Sequence, residues 1–396
     1  MVDIDRIPHF LKYMGSKREI LDDISNAVDL LAADSDFFCD LFAGTAVVSC
    51  AMADKFNVIS NDIQQYSSVF AKTYFGVYDQ NKHAEDIAES VLINAQSYVN
   101  HLNEEYPLLK EFYCYSDDIS FDQFCSLEMA QQNLMQTDFQ GDFTFFTKSY
   151  SGTYWSLEQC EWIDALRKVA EDYRGNDIYY AILSSIIYAM SYSSQSTGHF
   201  AQFRKITEEN YKNILAYRKK NIAELFFKKF CEVYSTIRHS VNDANVCMSM
   251  DYRECLKLIP KGTIVYADPP YSNVHYSRFY HAVETLVKYD NPKLKYNGRY
   301  RTDRHQSPFD QAAHVRAAFK QLFEGVKSSE SHLILSYSDN GMLTPEEILE
   351  IGSQIMGAEY ECSIYSKDYS HMKMGRSDEY KMDVKELLIN YKRLDR

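Results

Sequence analysis

The chain has 396 residues, 45% hydrophobic and 14% aromatic, so it can bury the core of one large domain with an insertion, or of two domains, and is too apolar for a disordered chain. A net charge of −14 excludes a surface that is basic throughout, although phosphate contact needs only one basic face and nucleic acid stays open as a partner. No apolar run reaches the length of a membrane span, and the charged start (1–6), with nine cysteines and no C-x-x-C pair, predicts reduced thiols in a cytoplasmic protein.

The first third opens as an α/β sheet. Residues 37–41 are mostly apolar and end in the turn Phe42-Ala43-Gly44-Thr45-Ala46, before a helix-compatible stretch at 47–56. A second short strand, 57–60, ends in Asn61-Asp62, so that strand, helix and strand form a compact βαβ unit. From about 80 to 244 the alternation gives way to helix. Ile87, Val91, Ala95, Tyr98 and Leu102 recur at helical spacing over 84–102. Ser156-Leu157-Glu158-Gln159 is a capping box, followed by the apolar stripe Ile163, Leu166, Val169 and Tyr173. Further helices are expected at 177–192 and 208–236.

The α/β rhythm then returns, with strands at 245–250, 263–267 and 332–336. Ser307-Pro308 is read as opening a helix that runs to 326, and Thr344-Pro345-Glu346-Glu347 as capping another. Strands at 361–365 and 385–391 close the sheet. The expected organisation is a discontinuous catalytic domain, 1–80 and 245–396, interrupted by a mainly helical insertion at 81–244.

The most informative stretch is Asp268-Pro269-Pro270-Tyr271, at the carboxyl end of the β-branched strand 263–267, where open α/β sheets place their sites. The prolines donate no backbone hydrogen bond and stiffen the turn. It offers a carboxylate, free carbonyls and an aromatic ring to one small volume, which suits a planar base with an exocyclic amine. Asp62 ends the second strand, where an acid commonly binds ribose hydroxyls, and Asp251 ends the third, placed to accept from an adenine amine. Three carboxylates around one glycine turn would repel a diphosphate. They suit a nucleoside carrying a sulfonium and an ammonium, S-adenosylmethionine.

With these motifs in place, the chain resembles the Dam-like DNA adenine-N6 methyltransferases. Phe10-Leu11-Lys12-Tyr13-Met14-Gly15-Ser16-Lys17-Arg18 resembles the N-terminal motif of that family, in which an aromatic and a lysine touch the cofactor. Phe42-Ala43-Gly44-Thr45-Ala46 resembles its F-x-G-x-G turn, with Ala46 for the second glycine. Asp268-Pro269-Pro270-Tyr271 matches the catalytic motif, and Lys385-Glu386-Leu387-Leu388-Ile389 resembles the final strand. The resemblance covers 8–66 and 245–391. It implies a Rossmann-like methyltransferase sheet with a target-recognition insertion, acting on a flipped adenine in double-stranded DNA, with a companion restriction endonuclease as a partner. It implies cofactor contacts from Tyr13, Lys17, Phe42, Ala43, Gly44, Asp62, Asp251 and Asp268. Catalysis would fall to Asp268, Pro269, Pro270 and Tyr271, with no metal and no covalent intermediate.

Other segments carry weaker signals. Lys293 to Arg301 reads as a hairpin on an Asn-Gly turn with no apolar face, so it is expected to project and to offer Lys293, Lys295, Arg299 and Arg301 to DNA phosphates. The loop 193–200 is read as a linker, with target contact as the sharper alternative. The run 218–229 is read as an amphipathic helix with a solvated basic face. His275 and His281 have no obvious third ligand and are read as part of an aromatic helix. Alternative functions are methylation of RNA adenine, cytosine N4 or a glutamine side chain, and a DNA-binding protein that keeps the fold without turnover.

Overall fold

The computed structural model describes residues 6–31, 35–196, 199–237, 242, 244–270, 275–371 and 382–394. In chain order the N-terminal elements are α1 (Leu21–Leu31), β1 (Phe37–Asp40), α2 (Val47–Met52), β2 (Asn57–Asn61) and α3 (Gln65–Phe75). A helical block follows: α4 (Ala84–Glu105), α5 (Phe121–Gln132), α6 (Phe145–Tyr150), α7 (Leu157–Ala170), α8 (Asp177–Ser193), α9 (Tyr211–Arg218) and α10 (Ile222–Thr236). The α/β pattern resumes with β3 (Val246–Met248), α11 (Tyr252–Leu258), β4 (Ile264–Ala267), α12 (Tyr276–Phe279) and α13 (His281–Lys288). The small hairpin β5 (Leu294–Lys295) and β6 (Tyr300–Arg301) precedes α14 (Val315–Ser328), β7 (His332–Ser338), α15 (Pro345–Met356), β8 (Tyr360–His371) and β9 (Met382–Arg393).

Among the described residues seven strands form one sheet in the order β3-β2-β1-β4-β7-β9-β8. The first five run parallel, and β9 runs antiparallel to both of its neighbours, β7 and β8. This is the expected Rossmann-like sheet, and its order reverses between β1 and β4, the position at which such sheets open a crevice for ligands. The inner parallel strands β1 and β4 are buried on both faces, which explains their largely apolar sequences, whereas the edge strand β3 is partly exposed. One face packs on α11, α14 and α15. The other packs on α1, α2 and α3 and continues without a break into α4, α7, α8 and α10.

The capping boxes at Ser156 and Thr344 form, each with its hydroxyl accepting from the backbone N–H three residues on. The expected helix at 208–236 is two helices, because Asn221 stops the first and caps the second by accepting from Ala223 and Glu224. The helix expected from Ser307 is first a short 3-10 turn, Pro308–Asp310, with α14 starting only at Val315.

Candidate active site

The carboxyl ends of β1, β2, β3 and β4, together with the N-terminal segment that crosses them, line a cleft of about 1100 Å³ counted to its open mouth. The structure brings Tyr13, Lys17, Phe42, Ala43, Gly44, Asp62, Asp251, Asp268, Pro269 and Pro270 together on its walls. Tyr271 lies outside the described residues.

The turn after β1 is built for close approach. Gly44 has φ +53, and a Cβ there would stand 3.0 Å from the Tyr13 hydroxyl, so a side chain would be strained in conformation and would crowd the ring above it. Ala46 also lies in the left-handed region, φ 55, and accepts that strain where the family pattern has a second glycine. Tyr13 is fixed from behind by stacking on Tyr280, at 4.7 Å between centroids. The Tyr280 hydroxyl in turn accepts from the Met14 N–H at 2.8 Å. Phe42 meets Tyr252 and Phe309 ring to ring at 5.6 and 5.5 Å.

Asp62 accepts from the Gly44 N–H at 2.9 Å and from the Gln64 N–H at 2.8 Å, one bond to each oxygen. Burial pushes its pKa up to about 6, against the pull of those backbone donors. Asp251 caps α11 and forms an ion pair with Arg253 at 2.8 Å. Burial raises its pKa but the Arg253 hydrogen bonds outweigh it, leaving the group below the usual carboxylate range. Its oxygens are therefore partly committed within the protein.

Asp268 follows β4 directly. Its carboxylate stands 3.0 Å from the Lys17 ammonium, which also reaches Glu386 on β9 at 2.6 Å. Burial, offset by Lys17 and reinforced by Glu386, sets the Asp268 pKa at about 6. Three groups were not singled out from the sequence. Glu386 was visible only as an acid beside the apolar run Leu387-Leu388-Ile389. Asp40 is an acid within the apolar run of β1, and it accepts from the Ser49 N–H at 3.0 Å and from its hydroxyl at 2.7 Å. Burial lifts it to about 7. Tyr276 lines the cleft beside Tyr13, and no spacing pattern marks it.

The basic hairpin needs correction. β5 and β6 pair Leu294 with Arg301 and Lys295 with Tyr300, but the loop between them is not the expected two-residue Asn-Gly turn: the left-handed positions are Tyr296 (φ 61) and Arg299 (φ 53), on either side of Asn297-Gly298. Lys293 and Lys295 are exposed as expected. Arg299 and Arg301 are not: both are buried. Arg299 donates to the Ser149 carbonyl. Arg301 is held by Asp290 at 2.6 Å and Asp303 at 2.8 Å. A hairpin lacking an apolar face still packs, because buried guanidinium groups can be satisfied by carbonyls and carboxylates. The hydroxyls of Tyr150 and Tyr154 anchor its backbone by donating to the Arg299 and Gly298 carbonyls.

The run 218–229 is likewise internally committed in part. Arg218 is buried against Glu128 at 2.5 Å, and Lys229 pairs with Glu232 at 2.7 Å. His281 is buried with Nε2 2.8 Å from the Phe200 carbonyl, and His275 pairs with Asp310, so both serve packing. Among the described residues no helix is long and apolar enough to cross a membrane.

Residues 13–336 match the family of D12 class N6 adenine-specific DNA methyltransferases. The chain is 24% identical over 352 residues to the modification methylase StsI of Streptococcus sanguinis, covering 86% of this chain and 46% of the relative. It is 24% identical over 393 residues to the modification methylase LlaI of Lactococcus lactis subsp. lactis, covering 97% and 55%. It is 22% identical over 352 residues to the type II methyltransferase M.NlaIII of Neisseria lactamica, covering 86% and 87%. The chain thus spans about half the length of the first two.

Proposed function

This chain belongs to the D12 class of N6 adenine-specific DNA methyltransferases, and on that premise we propose that it methylates the N6 of an adenine flipped out of double-stranded DNA, at a specific sequence, using S-adenosylmethionine. The observation that carries the proposal is Asp268: an acid at the sheet's switch point, followed by two prolines, facing a cleft walled by other carboxylates.

The cleft fits the cofactor by its chemistry. Asp62, Asp40 and Asp268 give it a negative wall suited to a sulfonium and an ammonium, and Gly44 leaves backbone open to a nucleoside. We assign Asp62 to the ribose hydroxyls, Asp251 to the adenine edge, and Tyr13, Phe42 and Ala43 to packing around it, with Lys17 at the amino-acid end. When bound, the cofactor supplies an activated methyl group on a positively charged sulfur. Asp268 and a carbonyl of the Pro269-Pro270 turn hold the two N–H groups of the target amine, whose lone pair is otherwise delocalised into the ring. Positioning and local electrostatics then provide most of the catalysis. Tyr271 is assigned to stacking on the flipped base, which returns ~1–3 kcal/mol of the cost of unstacking.

We assign the helical block at 81–244 to target recognition, and the exposed Lys293 and Lys295 to DNA phosphates. The relatives named as modification methylases support a role in a restriction–modification system, with a companion endonuclease and a cytoplasmic location. Methylation-sensitive sequencing of DNA from cells expressing the chain tests this. N6-methyladenine confined to one short sequence is the expected result, and N4-methylcytosine or unmodified DNA would overturn it.

A further inference from the structure

Three charged side chains from distant parts of the chain meet beneath Asp268. Lys17 enters from the N-terminal segment, Asp268 from the end of β4, and Glu386 from β9, two strands away in the sheet. Lys17 and Glu386 are almost wholly buried. The same Glu386 oxygen that takes Lys17 at 2.6 Å also accepts from the Ser336 hydroxyl on β7 at 2.6 Å. Two carboxylates, Glu386 buried and Asp268 partly open to the cleft, share one buried ammonium, which leaves an excess negative charge in a poorly solvated place. Such an arrangement is costly as a structural device, since an apolar residue at 386 would match the leucines beside it.

We propose that Glu386 is a positioning residue for methyl transfer: it anchors the Lys17 ammonium and thereby keeps the Asp268 carboxylate oriented and open to the adenine amine. The proposal rests on the reading of Asp268 given above. Without the Glu386 charge, Lys17 moves fully onto Asp268 and competes with the amine for the same oxygens. Glu386 thus divides the lysine between two acids, and the catalytic carboxylate keeps acceptor capacity.

Among the described residues, the charged and titratable groups that face Asp268 are few. Lys17 lowers its proton affinity and Glu386 raises it. The hydroxyls of Tyr266 on β4 and Tyr276 on α12 lie in the same field, as does Asp40 on β1. Neither tyrosine ionises in the neutral range, because burial raises both phenols. Changes at 17 and 386 therefore have opposite, readable signs at Asp268.

The test uses the full chain in two arms. In the first, carboxyl-13C aspartate labelling follows the Asp268 titration, with the resonance assigned by its loss in Asp268→Asn. Glu386→Gln is expected to lower the Asp268 midpoint and Lys17→Met to raise it, each by roughly one pH unit, tenfold in proton affinity. This arm needs neither DNA nor cofactor, so it succeeds or fails independently of the assigned reaction. In the second arm, Glu386→Gln is expected to lower kcat about tenfold and to move the acidic limb of the rate profile to lower pH. Glu386→Asp, which keeps the charge but loses reach, is expected to slow transfer without moving the limb. An unmoved Asp268 titration in both Glu386→Gln and Lys17→Met, or in Lys17→Met alone should the Gln variant not fold, would overturn the proposal. So would a Glu386→Gln enzyme with wild-type kcat and an unshifted limb. A wild-type chain without transferase activity would instead overturn the assigned reaction and leave the titration arm standing.

Discussion

At the scale of single residues, Asp62 links fold and ligand. Its two oxygens each take one backbone N–H, from Gly44 and Gln64, and thereby fix the turn that faces the cleft. Burial raises its pKa to about 6, so it is charged at pH 7.5 and loses that charge on mild acidification. Asp62→Ala is expected to weaken S-adenosylmethionine binding by ~1.5–3 kcal/mol at pH 7.5, the range for charge-assisted hydrogen bonds, measured by calorimetry without DNA. Wild-type affinity should fall as pH drops from 7.5 to 5.5, and the variant should show a flatter dependence. Equal pH slopes would remove Asp62 from the cofactor site. Gly44→Ala should also weaken binding, because its methyl group must displace the Tyr13 ring and the residue must hold a left-handed φ. If calorimetry finds unchanged affinity, the turn does not approach the cofactor.

Among the elements, the β5–β6 hairpin separates two roles that sequence spacing alone merged. Lys293→Gln and Lys295→Gln are each expected to flatten the slope of log DNA affinity against log salt by roughly 0.9, because each removes one phosphate contact. Arg299→Gln and Arg301→Gln are expected to leave that slope alone and to lower the melting temperature, the first because it leaves the buried Ser149 carbonyl unsatisfied at ~1–3 kcal/mol, the second because it removes the bonds that hold a buried side chain to the half-exposed Asp290 and Asp303. Binding measured across a salt series, beside thermal melts, distinguishes the pairs; an altered slope in the arginine variants would return them to the DNA surface. The presence of this hairpin was legible from Asn297-Gly298 at its tip, but its turn was not, since the left-handed positions fall at Tyr296 and Arg299. The burial of its arginines was not, because Asp290 and Ser149 meet them only through the tertiary fold. The same distinction holds across the chain. Strands ending in Asp62, Asp251 and Asp268 were readable from local pattern. Glu386 was not, because its partner Lys17 lies at the far end of the sequence and only the position of β9 beside β7 brings them together.

Across the whole molecule, the cleft gathers three acids whose ionisation is coupled to folding and to the charge of whatever binds there. Asp40, Asp62 and Asp268 titrate near 7, 6 and 6 in the folded chain, above the ~3.9 of an unfolded aspartate. A raised folded pKa means that the folded state holds the proton more tightly. The stability so gained is present below pH ~4 and is lost as pH rises through 6 to 7. A cation in the cleft offsets that loss, so S-adenosylmethionine should raise the melting temperature more at pH 7.5 than at pH 5.5, at equal ligand concentration. Equal shifts at the two pH values would place the cofactor away from these acids. The reaction itself is tested by incubating the chain with unmethylated double-stranded DNA and methyl-labelled S-adenosylmethionine, then digesting the DNA to nucleosides and identifying the labelled species by mass spectrometry. Labelled N6-methyldeoxyadenosine is expected from the wild-type chain and none from Asp268→Ala, with cofactor affinity of the variant within about tenfold, ~1.4 kcal/mol. Label in cytosine, or transfer by Asp268→Ala at even about a tenth of the wild-type rate, would contradict it.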